Sequence, residues 1–167
     1  MDRERAAAAR RPHRLEFAAM RFWHAVMFGG FIVAYATADE DTYAMHLFAG
    51  YLTLAALTVR LLAAAVAPQG SPLRLPRPRP GILLAWLRRP RGRSPLYAWM
   101  AAILLAVIGA AALSGVAADG IVWLEDPHEA VSELSLWLVL AHAAIVLLLV
   151  HGHRLRARVW PTRTSAT

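Results

Sequence analysis

The chemistry open to this 167-residue chain is histidine chemistry. Four of its seven histidines fall in one stretch, Val122–His153: His128, His142, His151 and His153. His128 and His142 stand at the mouth and in the middle of an apolar segment, fourteen residues apart. In a helix that is nearly four turns and a rise of roughly 21 Å, so both side chains point to nearly the same face. An ionisable group inside an apolar span is costly and needs a partner. Neutral imidazole offers one lone-pair nitrogen, and a transition metal suits it. Two imidazoles on one face, at two depths, would serve two metal centres.

Composition narrows which centres those can be. The chain has no cysteine, which excludes a disulfide, an iron–sulfur cluster, a thiolate metal site and a covalently attached c-type haem. It is 58% hydrophobic with a mean hydropathy of +0.43, too apolar for an ordinary soluble domain. It contains no Gly-rich phosphate loop, no G-x-S-x-G and no H-E-x-x-H. Asp126-Pro127-His128-Glu129 holds a His-Glu pair without a second histidine at helical spacing, which argues against zinc. No internal repeat is visible.

The elements that must position the histidines are apolar spans. Residues 1–16 are polar and read as a short disordered or interfacial tail. Spans follow at about 17–38, 43–67, 96–118 and 130–150, each near the roughly 20 residues a membrane helix needs. Ala36-Thr37-Ala38 fits a small-residue cleavage pattern, but the charged start, Arg21 and His24 make the first span a poor signal peptide. Residues 68–95 form a Pro/Arg-rich connector. Its segment Gly81–Leu87 is too short to span and reads as a helix lying at the interface. Trp160 in the basic tail reads as an interfacial anchor.

All eighteen basic residues are arginines, and in a four-span arrangement all of them fall on one side. The other side carries eight of the eleven acids: Asp39, Glu40, Asp41, Asp119, Glu125, Asp126, Glu129 and Glu133. The positive-inside rule therefore places both termini and the connector in the cytoplasm. The net charge of +7 is topogenic, and no nucleic-acid partner is expected.

On this topology the histidines sort by depth. His46 opens span two and His128 opens span four, an outer pair. His24 and His142 form an inner pair. Two layers, each with two histidines from different helices, is what bis-histidine haem sites require. The bland reading of each is a hydrogen bond across helices. His128, beside Pro127, also reads as a solvated loop residue. His151 and His153 sit at the basic end as interface residues, with a lesser role as replacements for His142, and His13 is in the tail. Gly50, one turn beyond His46, would let a macrocycle approach the backbone; Gly29, Gly30, Gly109 and Gly115 serve that purpose or helix packing. Arg60, fourteen residues after His46, either pairs with a propionate of an inner haem or snorkels to the interface.

Several pieces in this order resemble one family: Arg21-Phe22-Trp23-His24; His46-Leu47-Phe48-Ala49-Gly50-Tyr51 with Arg60; Ser94-Pro95-Leu96; and Trp123-Leu124-Glu125-Asp126-Pro127-His128-Glu129 with Leu140-Ala141-His142. Over about residues 14–153 the chain resembles the bacterial cytochrome b561 family, which includes the b-type cytochrome subunits of nickel–iron hydrogenases. It departs from related small members in reading Arg93-Ser94 where they have His-Asn. The resemblance implies an all-α integral membrane protein, a four-transmembrane-helix bundle enclosing two b haems, with His24, His46, His128 and His142 as axial ligands. It implies electron transfer between a redox partner and the quinone pool or another membrane carrier, as an electron-transfer cytochrome or the membrane subunit of an oxidoreductase. The expected arrangement is a cytoplasmic basic tail (1–16), a membrane haem domain (17–153) and a cytoplasmic tail (154–167). The expected setting is the bacterial inner membrane, with lipid, a quinone, a periplasmic or membrane redox protein and a second copy of the chain as partners. The competing class is a haem-free four-span transporter or scaffold whose histidines relay protons or bridge helices.

Overall fold

The computed structural model describes the backbone of residues 2–89 and 94–159, and the side chains of residues 14–89 and 94–148. Five α-helices follow in order: α1 (Asp2–Ala36), α2 (Tyr43–Val66), α3 (Pro80–Arg88), α4 (Leu96–Ala118) and α5 (Glu125–Val159). The described residues contain no strand. Four segments are long and apolar enough to cross a membrane: Arg14–Ala36, Glu40–Val66, Leu96–Ala118 and Val122–Leu148, with mean hydropathies of 1.4, 1.7, 2.3 and 2.0. The shortest has 23 residues, about 35 Å of helix against a hydrocarbon core of roughly 30 Å. Helix is the form such segments take in lipid, because it satisfies every backbone N–H and C=O internally.

The helix boundaries have local causes. A 3-10 turn over Glu40–Thr42, closed by the Thr42 amide on the Asp39 carbonyl at 3.1 Å, folds α2 back along α1. Ala67 is extended, as a residue before proline must be, and ends α2. Gly70 takes a φ of +88° in the turn that follows. Pro80 supplies the preset first residue of α3. Between α4 and α5 a second 3-10 turn spans Val122–Leu124, and Glu125 and Asp126 sit in the first turn of α5, where the helix dipole favours anions.

The four spans and the short connector helix lie close to where the sequence places them. Two boundaries differ. The polar residues expected as a disordered or interfacial tail continue α1 back to Asp2. The last helix starts at Glu125, not near residue 130, and runs on to Val159. Pro127 lies in its first turn, where a missing N–H costs nothing. His128 is therefore a helical residue and not a solvated loop residue. Trp160 lies outside the described residues.

α1 packs along α2, α2 along α4, and α4 along α5, while α1 and α5 make no extended contact among the described residues. Each of the three packed interfaces has a glycine that lies against the neighbouring helix. A Cβ at Gly30 would stand 2.7 Å from the Thr53 hydroxyl, and one at Gly109 would stand 3.1 Å from Leu57. Gly115 plays the same part between α4 and α5, described below. Small residues of this kind let membrane helices touch where lipid removes the hydrophobic drive to associate. The core is small: Met27, Phe31, Ala49, Leu57, Ala64 and Ala111, with Thr53, Arg60 and Ser135 buried among the polar residues. Phe22, Phe28, Phe48 and Leu148 point outward, as side chains facing lipid should.

Gly30→Val should lower the unfolding free energy by about 1–3 kcal/mol, because the added carbons collide with α2. Gly29→Ala, whose Cβ meets nothing within 4 Å, should change it by less than about 0.5 kcal/mol. Reversible unfolding in mixed micelles measures both.

Candidate functional site: a histidine pair in a membrane cavity

His46 stands in the first turn of α2, facing the end of α1. Its Nδ1 lies 2.7 Å from the Ala34 carbonyl oxygen. That carbonyl is one of the last four of α1, which a helix leaves without an intrahelical partner. The Val33 carbonyl beside it accepts from the Thr37 hydroxyl at 2.6 Å. A carbonyl can only accept, so Nδ1 carries the proton and Nε2 keeps its lone pair.

The other imidazole is held by a different device with the same result. His128 sits in the first turn of α5, with Nδ1 3.1 Å from the Ser114 hydroxyl. Ser114 spends its own proton on the Ala111 carbonyl at 3.0 Å, so its oxygen accepts from Nδ1–H. Again Nε2 is left bare. The ring lies against α4 at Gly115, where a Cβ would come within 2.9 Å of Cε1 and 3.4 Å of Nε2. Glycine at that position is what allows the ring its place.

The two imidazoles meet with their planes nearly perpendicular. Their centroids are 6.1 Å apart and their planes cross at 76°. A metal–imidazole bond is about 2.0 Å long, so two rings sharing one ion hold their centroids about 6 Å apart. Fixing Nδ1–H on a protein acceptor and presenting Nε2 is the arrangement found around metal-ligating histidines. Tyr43 stacks on His46 at 5.9 Å and 14°, and its hydroxyl donates to the Asp119 carboxylate at 3.3 Å.

Both rings open on a cavity of about 1120 Å³ between the two helical hairpins. That is at the upper end of the roughly 300–1,000 Å³ usual for ligand sites. Its walls are mostly apolar and aromatic, with Phe31, Tyr35, Tyr51 and Ile108 among them, and Gly50 leaves open space on one side. Carboxylates line its outer end: Glu40, Asp119, Glu125, Glu129 and Glu133. A cavity of this size between two histidine-bearing hairpins has room for a planar cofactor. Among the described residues no group of three or more His, Cys, Asp or Glu could hold a metal ion by itself, so a donor set of protein side chains alone is not formed there.

The inner pair is set up less tightly. His24 is exposed, with Nδ1 3.1 Å from the Met20 carbonyl one turn back. His142 is half-buried on α5 and within electrostatic range of His24, though the two rings are not in contact. Trp23 meets the His24 ring edge-on at 4.9 Å and donates its indole N–H to the Ala56 carbonyl at 2.8 Å. Arg60 lies over Trp23 at 5.5 Å and donates to the Leu73 carbonyl of the connector at 2.6 Å. At 6% exposure Arg60 does not snorkel into open interface. It is drawn under the connector, and its Nε has no hydrogen-bond partner among the described residues; nor has the indole N–H of Trp99. The side chains of His13, His151 and His153 lie outside the described residues.

Sequence reasoning missed Ser114 and the Ala34 carbonyl. Ser114 did leave a trace, as the lone Ser or Thr in the 23 residues of α4. A backbone carbonyl leaves none. Comparison with protein families, curated proteins and solved structures gave no match.

In protein purified without a metal or haem, nitrogen NMR of labelled histidine should report His46 and His128 as Nδ1–H tautomers with bare Nε2. Ser114→Ala should release His128 into a tautomer mixture and leave His46 unchanged. The stranded donor should cost about 1–3 kcal/mol of stability.

Proposed function

We propose that the chain is a four-span dihaem cytochrome b of the cytochrome b561 type. In this reading it carries electrons between a redox partner and the quinone pool or another membrane carrier. The observation that carries it is the His46–His128 pair: two rings on different helices, 6.1 Å between centroids, each with Nδ1 held and Nε2 free, at a cavity of cofactor size. A haem bound there would supply one-electron iron chemistry.

The residues of the chain would do the rest. His46 and His128 would ligate the outer haem, and His24 and His142 the inner one. The Ala34 carbonyl and Ser114 orient the outer imidazoles and raise their basicity, a lever on redox potential. Phe31, Tyr35, Tyr51 and Ile108 would form the apolar and aromatic wall against a macrocycle held there, a lever on its potential. Gly50 and Gly115 leave room along the walls. At the inner level Arg60, a buried cation over Trp23, supports pairing with a propionate. A periplasmic or membrane redox protein is the expected donor or acceptor. Both termini are assigned to the cytoplasmic side of a bacterial inner membrane on the distribution of arginine, which gathers on one side of the four spans.

One observation favours the haem-free class. His46 joins α2 to α1 through Ala34, and His128 joins α5 to α4 through Ser114, so each ring already bridges two helices. Colour separates the readings. Purified protein should give a reduced-minus-oxidised b-type spectrum with about two haems per chain on extraction. His46→Ala and His128→Ala should each remove the same haem, and His24→Ala and His142→Ala the other. A folded, colourless preparation defeats the proposal. Loss of a haem from His151→Ala or His153→Ala, with His142→Ala harmless, defeats the inner ligand assignment.

A further inference from the structure

A second pocket, of about 510 Å³, lies on the connector, far along the chain from the paired histidines. Its lining is Gln69, Arg74, Leu75, Arg77, Arg79 and Ile82. Three exposed arginines line it, and among the described residues no carboxylate does. Three like charges on so short a segment, with no acid between them, favour an anionic ligand.

These arginines are not on a loose loop. The connector is tied to the bundle at its start: Arg60 donates to the Leu73 carbonyl, Ser71 donates to Glu16 of α1 at 3.0 Å, and the Leu73 and Arg74 amides close onto Ser71 at 3.1 Å each. Beyond that point Pro76, Pro78 and Pro80 alternate with Arg77 and Arg79. Proline fixes φ and removes freedom the segment would otherwise lose on binding. Part of the backbone cost of ordering this segment around a ligand is thus already met by the covalent structure.

The neighbouring helix names the kind of anion. α3 has nine residues, too few to span, and packs along no other helix among the described residues. Its apolar side chains Ile82, Leu84 and Leu87 are 50%, 57% and 61% exposed. A short helix with uncovered apolar residues, joined to a connector rich in arginine and set between two spans, belongs in the membrane interface. Ile82 lines the pocket and also opens this apolar surface, so phosphate-binding and acyl-binding groups are contiguous.

We propose that Arg74, Arg77 and Arg79 form a headgroup site for an anionic phospholipid, with its phosphate among the guanidinium groups and its acyl chains beside α3. The assignment is independent of haem.

The test uses the full chain, delipidated in a mild uncharged detergent and titrated with phosphatidylglycerol or phosphatidylcholine under native mass spectrometry. Phosphatidylglycerol should bind at least tenfold more tightly. Each arginine at a membrane surface is worth about a fivefold change in affinity, so the triple variant Arg74→Gln, Arg77→Gln, Arg79→Gln should weaken that binding on the order of 100-fold. Arg154→Gln, Arg156→Gln, Arg158→Gln, with the same loss of charge, should keep it. The single reversal Arg77→Glu, a smaller perturbation, should weaken it about 30-fold by the same scale. The proposal is overturned if the first triple variant and Arg77→Glu, both still helical by circular dichroism, bind phosphatidylglycerol as the parent does. It is overturned equally if both triple variants lose binding to the same degree, which is what diffuse charge would give. Displacement of the lipid by equimolar glycerol phosphate would instead mark a site for soluble phosphates and overturn the lipid assignment.

Discussion

The site turns on a hydrogen bond that α1 makes because it ends. A helix leaves its last carbonyls without partners, and the tight turn after Ala36 brings His46 back to one of them, Ala34, at 2.7 Å. That contact decides which nitrogen of His46 carries a proton and which way the ring points. On the other hairpin Ser114 makes the same decision for His128. With both rings fixed through Nδ1, their centroids stand 6.1 Å apart with the planes crossed at 76°. Without those two acceptors the imidazoles would be free to flip, and the cavity would present no defined donor pair.

The way the helices pack serves that gap. Each hairpin is closed within itself, and the two meet along α2 and α4, leaving α1 and α5 apart. Protein interiors are normally filled to crystal-like density. Here a half-open cleft of about 1120 Å³ lies between the hairpins, and Ser135 is the one buried side chain of α5 among the described residues. A bundle so built gains cohesion from whatever occupies the space, since a ligand that binds only the folded state stabilises it. The glycines at the three packed interfaces then act geometrically, bringing helices close on one side so that the other side can stay open.

Much of this could be read from the chain. The spans follow from apolar run length, the short α3 from a run too short to cross, and the pairing of His46 with His128 from depth within a four-span topology. Boundaries were harder. Asp126-Pro127 before His128 reads as a loop, yet acids and a proline are also what the first turn of a helix accepts, and the packed turn at Val122–Leu124 tips the balance. The hydrogen-bond acceptors were least legible. Ser114 is distant in sequence from His128, and Ala34 contributes only backbone, so no residue pattern announces either. Arg60 reads in sequence as pairing or snorkelling; its burial under the connector depends on Leu73 and Trp23, which tertiary structure alone brings to it.

The crossing angle of the two outer rings offers the most direct measurement. When two imidazoles bind one ferric haem, the angle between their planes sets the symmetry of the iron d orbitals. Near-perpendicular planes give a highly anisotropic low-spin resonance, and near-parallel planes give an ordinary rhombic one. Electron paramagnetic resonance of the oxidised, purified chain should therefore show a highly anisotropic low-spin ferric signal for the outer centre, matching planes that cross at 76°, and His128→Ala should abolish it. A spectrum with no low-spin ferric haem, or one that survives both His46→Ala and His128→Ala, would contradict the assignment of this pair as haem ligands.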